Sequence, residues 1–193
     1  MPEPRVYVAL VHYPVINKEG KIIASSVTNL DIHDISRICR TYGAKAYYIV
    51  QPLREQRELV KELIEYWQNG YGRVYNPDRE DALKILKVVP ALKVALDEIA
   101  RKEGRVPLLL GTDAREKYAN ISFARARELV WSGEVILLLL GTAWGLAPKL
   151  IEACPYVLEP IRGRGNNYNH LSVRAAAAII LDRLLGESWW KRI

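Results

Sequence analysis

The sequence predicts an α/β fold, an open and mostly parallel sheet with helices on both faces. Three observations predict it. Short runs that are apolar throughout, instead of alternating, recur along the chain, as in strands buried on both faces. Helical patterns separate these runs, which implies parallel βαβ units. The chain has 193 residues, 50% of them hydrophobic, enough for one domain (1–193) with a full core.

The elements follow in order. Arg5–Val11 is the first strand. Ile32, Ile35, Ile38, Cys39 and Tyr42 then recur at three and four residues, a helix stopped by Gly43. Lys45–Gln51 is the second strand, and Arg54–Gln68 a charged amphipathic helix ending at Asn69-Gly70. Gly70–Glu80 reads as an exposed connection, or alternatively as an RNA contact through Tyr71, Arg73 and Tyr75. Ala82–Lys102 reads as a helix broken or kinked at Pro90. Val106–Leu110, Glu134–Leu140 and Tyr156–Ile161 complete the strands, with shorter helices at Phe123–Ser132 and Pro148–Ala153. The last helix starts near Ser172, capped by Asn169 or Ser172. Its run Ala175–Ala178, followed by Ile179, Ile180, Leu181, Leu184 and Leu185, suits deep burial or tight packing against a second subunit.

Composition narrows the function classes. No apolar run nears the roughly 18 residues of a membrane helix. The start MPEPRVYVALVHYPV lacks a signal-peptide pattern, so the chain reads as cytoplasmic with no membrane partner. Cys39 and Cys154 form no CxxC or Cys/His cluster, so no metal is expected and both read as buried thiols. The net charge of +6 suits a phosphate-bearing partner without demanding one.

The run LLLGT occurs twice, at Leu108–Thr112 and Leu138–Thr142. Two glycine turns at one end of a parallel sheet would set two bare backbone loops side by side, as around a nucleotide-like ligand; the alternative is that both are plain strand-ending turns. Walker A, GxGxxG after the first strand, GxSxG and HExxH are all absent.

An ordered set of three segments is positive. NLDIHDISRICRTYGAKAYYIVQP is a polar loop, a helix, a glycine and a strand. EVILLLLGTAWGLAP is a strand, then Gly-Thr, then Gly-Leu opening a helix. VLEPIRGRGNNYNHLSVRAAAAIILDRL closes the set. Their order resembles the three motifs of the SPOUT (SpoU–TrmD) superfamily of S-adenosylmethionine-dependent RNA methyltransferases. The nearest resemblance is to a small single-domain TrmD-like bacterial group ending in YNHLSVR…AIILDRLLG.

The resemblance implies a C-terminal deep trefoil knot, a homodimer with the site at its interface, and a tRNA or rRNA substrate. It also implies S-adenosyl-L-methionine held in three loops. One comprises Leu110, Gly111 and Thr112. The second comprises Gly141, Thr142, Ala143, Trp144, Gly145 and Leu146. The third comprises Leu158, Pro160, Ile161, Arg162 and Gly163 with Asn169, Leu171 and Ser172. Trp189 and Trp190 would cover the dimer contact or form an exposed patch.

Catalytic expectations divide. Counting back from Gly43, Arg37 takes the position of the SpoU-type arginine. His33, Arg37 and Arg40 then share one helix face, read either as an RNA phosphate grip or as a solvated face with Arg37 paired to Asp34. Ala143-Trp144 stand where SpoU-like members carry a glutamate, and Ser172 where they tend to carry asparagine. Base modification is therefore at least as well supported as ribose modification. TrmD-like members use an aspartate base in a linker to a further domain without a counterpart here; Asp113 is the candidate for that role. Two other readings compete: a non-catalytic RNA- or adenine-nucleotide-binding relic of the fold, and an unrelated doubly wound nucleotide-binding domain.

Overall fold

The computed structural model describes residues 2–164 and 168–187; Trp189 and Trp190, expected at the dimer contact, lie outside them. Strand β1 is Arg5–Val11, followed by a two-strand antiparallel hairpin of β2 (Val15–Ile16) and β3 (Ile22–Ile23). Helix α1 (Asn29–Thr41) leads to β4 (Ala46–Val50), and α2 (Arg54–Gln68), α3 (Tyr71–Tyr75) and α4 (Pro77–Leu83) to β5 (Leu86–Val89). Helix α5 (Leu92–Glu103) precedes β6 (Leu108–Gly111), α6 (Phe123–Val130) and β7 (Val135–Gly141). Helix α7 (Pro148–Glu152), β8 (Tyr156–Val157) and α8 (Val173–Leu185) close the order.

Six strands form one parallel sheet in the order β5-β4-β1-β7-β6-β8. Successive side chains divide between two cores. Val6, Val8 and Leu10 of β1 and Ile136, Leu138 and Leu140 of β7 pack under α1, α2, α6 and α8. Tyr7, Ala9, Val11, Leu137 and Leu139 pack on the other face, with Ala95 and Ile99 of α5 and Ile151 of α7. Burial on both faces is why these strands are apolar throughout. Each fully buried Leu, Ile or Val contributes about 1.5–3 kcal/mol.

The expected strands hold with shifted ends. Three expectations are corrected. Ala82–Lys102 is not a kinked helix: Leu86–Val89 is an edge strand, and α5 begins after Pro90. Proline disfavours helix at the residue before it, so Val89 stays extended. Gly70–Glu80 is not a plain connection: Asn76 caps α4, its Oδ1 accepting from Arg79 N at 2.9 Å, and Pro77 occupies the first turn. Strand β8 stops at Val157 instead of Ile161, because its partner β6 ends at Gly111.

The chain leaves β1 toward β4 and β5, then returns across the sheet to β6 and β7. This puts a topological switch between β1 and β7, and a crevice forms at the carboxyl ends of strands at such a point.

Candidate active site

A cavity of about 790 Å³ lies at the carboxyl ends of β6 and β7. The loop after β7 is one wall and is tightly braced. Thr142 Oγ1 donates to Val11 O at 3.0 Å, and Gly145 N donates to Thr142 O at 2.9 Å. Trp144 N donates to Ile16 O, and Ile16 N to Gly145 O, both at 3.0 Å. The turn needs positive φ at Ala143 (53°) and Gly145 (103°). The hairpin after β1, not foreseen from sequence, is what holds this loop.

Beneath it, Ser25 Oγ lies 2.5 Å from Thr142 Oγ1 and His12 Nδ1 lies 2.9 Å from Ser25 Oγ. Thr142 donates to Val11 O, so Ser25 donates to Thr142 and His12 Nδ1–H donates to Ser25. That tautomer leaves His12 Nε2 a buried acceptor without a partner among the described residues. Burial pushes the His12 pKa down to about 4, against the opposing pull of the Asp31 carboxylate.

The loop after β6 is anchored differently. Thr112 Oγ1 donates to Leu139 O at 2.8 Å. Asp113 accepts from Arg115 N (2.7 Å), Nε (2.8 Å) and Nη2 (2.6 Å), and the Arg115 guanidinium lies 4.8 Å from the Tyr118 ring centroid. Three donors of one neighbouring residue, two of them on its guanidinium, close on this carboxylate and tie it to its own loop, a fixing role instead of the proton acceptor expected for Asp113.

The last loop returns over β6. Leu158 N donates to Gly111 O at 2.9 Å and Glu159 N to Ile121 O at 3.0 Å. Asn169 Nδ2 reaches Ala114 O at 3.0 Å, and Ser172 caps α8 by accepting from Ala175 N.

Of the residues expected around a cofactor, Thr112, Gly141–Gly145, Leu158, Pro160, Ile161, Asn169, Leu171 and Ser172 line the cavity. Leu110 and Leu146 instead belong to the two cores, and Arg162 and Gly163 lie outside the lining, with Arg162 ion-paired to Glu116 at 2.5 Å. Gly111 also lies outside it. A Cβ there would stand 2.7 Å from Ile151 Cδ1 and 3.2 Å from Cys154 Sγ, so this glycine admits α7. At Gly141 a Cβ would meet Leu146 N at 2.7 Å. Both LLLGT glycines thus serve the protein's own packing. They are also staggered, because Gly111 pairs with Leu139.

The expected cationic face on α1 does not form as one surface. His33 packs edge-on against Trp67, with centroids 5.5 Å apart, and burial with the nearby Arg79 cation lowers its pKa. Arg40 Nε bonds Asp81 Oδ2 at 2.7 Å. Arg37 is exposed and lies outside the cavity lining. Asp34 pairs with Arg174 (3.4 Å).

Sequence reasoning missed Thr28, Asp31 and Arg174. Thr28 caps α1: its hydroxyl accepts from Asp31 N at 3.2 Å and donates to Asp31 Oδ2 at 2.6 Å. Arg174 Nη1 donates to Asp31 Oδ1 at 3.1 Å. The spacing Thr28-x-x-Asp31 was the available signal, that of a capped helix start.

A family model described as SAM-dependent RNA methyltransferase matches residues 5–186. The chain belongs to that family. A relative in Nitratidesulfovibrio vulgaris named tRNA (guanine-N(1)-)-methyltransferase is 46% identical over 97% of this chain. The chain spans less than half of that relative, 44%. An uncharacterized Aquifex aeolicus protein is 41% identical over 97% of this chain and 92% of its own length. Among solved structures, an A. aeolicus TrmH/SpoU tRNA modifying enzyme matches with a TM-score of 0.58 and 16% identity, over 98% of this chain and 78% of that one. The fold is therefore of the SpoU type.

The cavity is of a size that suits S-adenosylmethionine, the cofactor that the family's description names. Its volume lies within the roughly 300–1,000 Å³ of small-molecule sites. Leu140, Leu158 and Ile180 offer apolar wall, and Thr112, Thr142, Ser172 and the paired Asp31 and Arg174 supply polar lining. No helix among the described residues is long and apolar enough to cross a membrane. No cluster of three or more potential metal-binding side chains occurs among the described residues.

Proposed function

We propose that this chain transfers a methyl group to RNA, tRNA before rRNA, from S-adenosylmethionine held in the cavity between the β6, β7 and last loops. The observation that carries this reading is that residues of all three motif segments, Asp31 of the first, Gly141–Gly145 of the second and Leu158–Ile161 with Asn169–Arg174 of the third, line one cavity. The bound cofactor supplies a sulfonium-activated methyl. The residues proposed to hold it are Thr112, Gly141, Thr142, Ala143, Gly145, Leu158, Pro160, Ile161, Asn169, Leu171 and Ser172, with Trp144 contributing backbone alone.

Asp31 is the proposed proton acceptor. Its carboxylate lines the cavity, and Thr28 and Arg174 orient both oxygens. Arg37 has a free run of solvent and is assigned to RNA phosphate or to a neighbouring subunit's site. A homodimer is supported by the half-buried Ala175, Ala178 and Ile179 of α8 beside α1. The C-terminal knot is supported by the crossing from β8 at the sheet edge to α8 between α1 and α6. The same reading puts residues 1–193 in one domain working in the cytoplasm. Guanine-N1 chemistry is not carried over, because that name describes a relative more than twice as long as its matched part.

Isothermal titration with S-adenosylmethionine and S-adenosylhomocysteine, with ATP and NAD as controls, tests this. Micromolar binding of the first two alone, followed by labelled methyl transfer to unmodified tRNA transcripts, is the expected result. Absence of binding to either returns the chain to a cofactor-free RNA-binding relic of the fold.

A further inference from the structure

Trp144 is placed at odds with ordinary folding preferences. The residue is 60% exposed, although it borders the cavity. Leaving so large a ring in water forgoes substantial burial. The turn that carries it also holds a non-glycine residue, Ala143, at a φ of 53°, which costs about 1–2 kcal/mol. Strain of this kind persists where the surroundings fix it, and here they do: backbone bonds from Trp144 N to Ile16 O and from Ile16 N to Gly145 O clamp the turn at both sides. The result is a rigid mount for one flat aromatic ring at the rim of the site.

The flanking residues Ala143 and Gly145 carry no bulk, so the loop presents a single ring and not a broad patch. A helix or a second copy of the chain needs a wider contact than this. A flat, π-faced ligand does not. The last loop brings His170 and Leu171 to the same cavity, and His170 packs edge-on against Tyr168 with centroids 5.5 Å apart. Aromatic surface at the rim of an RNA enzyme's cavity matches an unpaired base turned out of its stack. Buried Leu140, Leu158, Pro160 and Ile180 form a separate, deeper apolar wall for the cofactor.

We propose that Trp144 is the stacking platform for an unpaired nucleobase of the RNA substrate. The inference rests on the methyltransferase reading of this cavity, and it assigns the indole to the RNA instead of to S-adenosylmethionine.

The test compares wild type, Trp144→Phe and Trp144→Ala. Each is measured for binding of unmodified tRNA transcripts by filter retention, S-adenosylhomocysteine affinity by calorimetry, and oligomeric state by light scattering. Loss of one base stack weakens RNA binding by at least about fivefold. The expected pattern is that loss in Trp144→Ala, near wild-type RNA binding in Trp144→Phe, and unchanged cofactor affinity and oligomeric state in both. Three results overturn the proposal: wild-type RNA binding in Trp144→Ala, an equal fall in cofactor affinity, or a change in oligomeric state, which would make the ring a subunit contact. A wild type that binds RNA through Trp144 but never binds S-adenosylhomocysteine would keep the platform and sink the methyltransferase reading.

Discussion

Arg174 of α8 bonds the carboxylate of Asp31 on α1 across 143 positions of sequence, Nη1 to Oδ1 at 3.1 Å. The same guanidinium reaches Asp34 Oδ2 through Nε at 3.4 Å. The side chain of Asp31 is 7% exposed and that of Arg174 29%. One cation therefore ties the first motif's helix to the last, beside the cavity that both line.

Removing one partner of such a bridge leaves a buried carboxylate with Thr28 as its remaining side-chain donor. Arg174→Met is expected to lose about 1–3 kcal/mol in urea unfolding. Combining it with Asp31→Asn should restore part of that loss, because no charge is then stranded. A double-mutant cycle that is additive within about 0.5 kcal/mol would show that the bridge is not coupled.

Asp31→Asn keeps the shape of the side chain and removes its basicity. With Asp31 as the proton acceptor, turnover of RNA should fall by about 10²–10⁴. S-adenosylhomocysteine affinity should change little. Asp113→Asn should act the other way: three donors of Arg115 close on its carboxylate, so the expected effect is on stability and cofactor binding. If Asp113→Asn alone abolishes transfer while the fold and affinity stay intact, the two roles are reversed.

Gly111 and its repeat partner Gly141 make different demands. Ala at Gly111 would bring Cβ to 2.7 Å from Ile151 Cδ1, an overpacking expected to cost about 1–3 kcal/mol. Ile151→Val removes that methyl and should relieve most of the cost in the double variant. No such rescue exists for Gly141→Ala, where the obstacle is backbone, Leu146 N at 2.7 Å. Equal rescue at both positions in thermal melts would contradict the packing described.

Most of the sheet was legible because burial on both faces leaves a plain signal: β1 and β7 are apolar at nearly every position, and the α1 stripe ends at a glycine with φ of 72°. Strand β5 was hidden because Leu83, Leu86 and Val89 also fit a three-residue helical spacing, although Pro90 pointed the other way. The short strands β2 and β3 are too brief to read from periodicity. Cavity residues on the three motif loops were legible from order and resemblance. Asp31 and Arg174 were not, since each looks like an ordinary helix charge until the fold brings α8 against α1. For the same reason Arg40 read as an open cation, although Asp81 on α4 pairs with it.

His12 supplies a pH dependence with a definite sign. In the unfolded chain its imidazole titrates near the ordinary 6.5; in the fold, burial brings it to about 4. Between these values the unfolded state binds a proton that the folded state refuses. Stability from this group is therefore complete above pH 6.5 and is lost as pH falls through 4. A shift from 6.5 to about 4 corresponds to about 3 kcal/mol. His12→Asn removes the titration and leaves every other acid group in place, so carboxylate effects cancel in the difference between the two proteins. Urea unfolding at pH 7, 5.5 and 4.5 should show wild type losing stability relative to His12→Asn as pH falls. Parallel curves would mean that the folded protein accepts the proton, which would require Nε2 to find a partner or water that its buried position among the described residues does not supply.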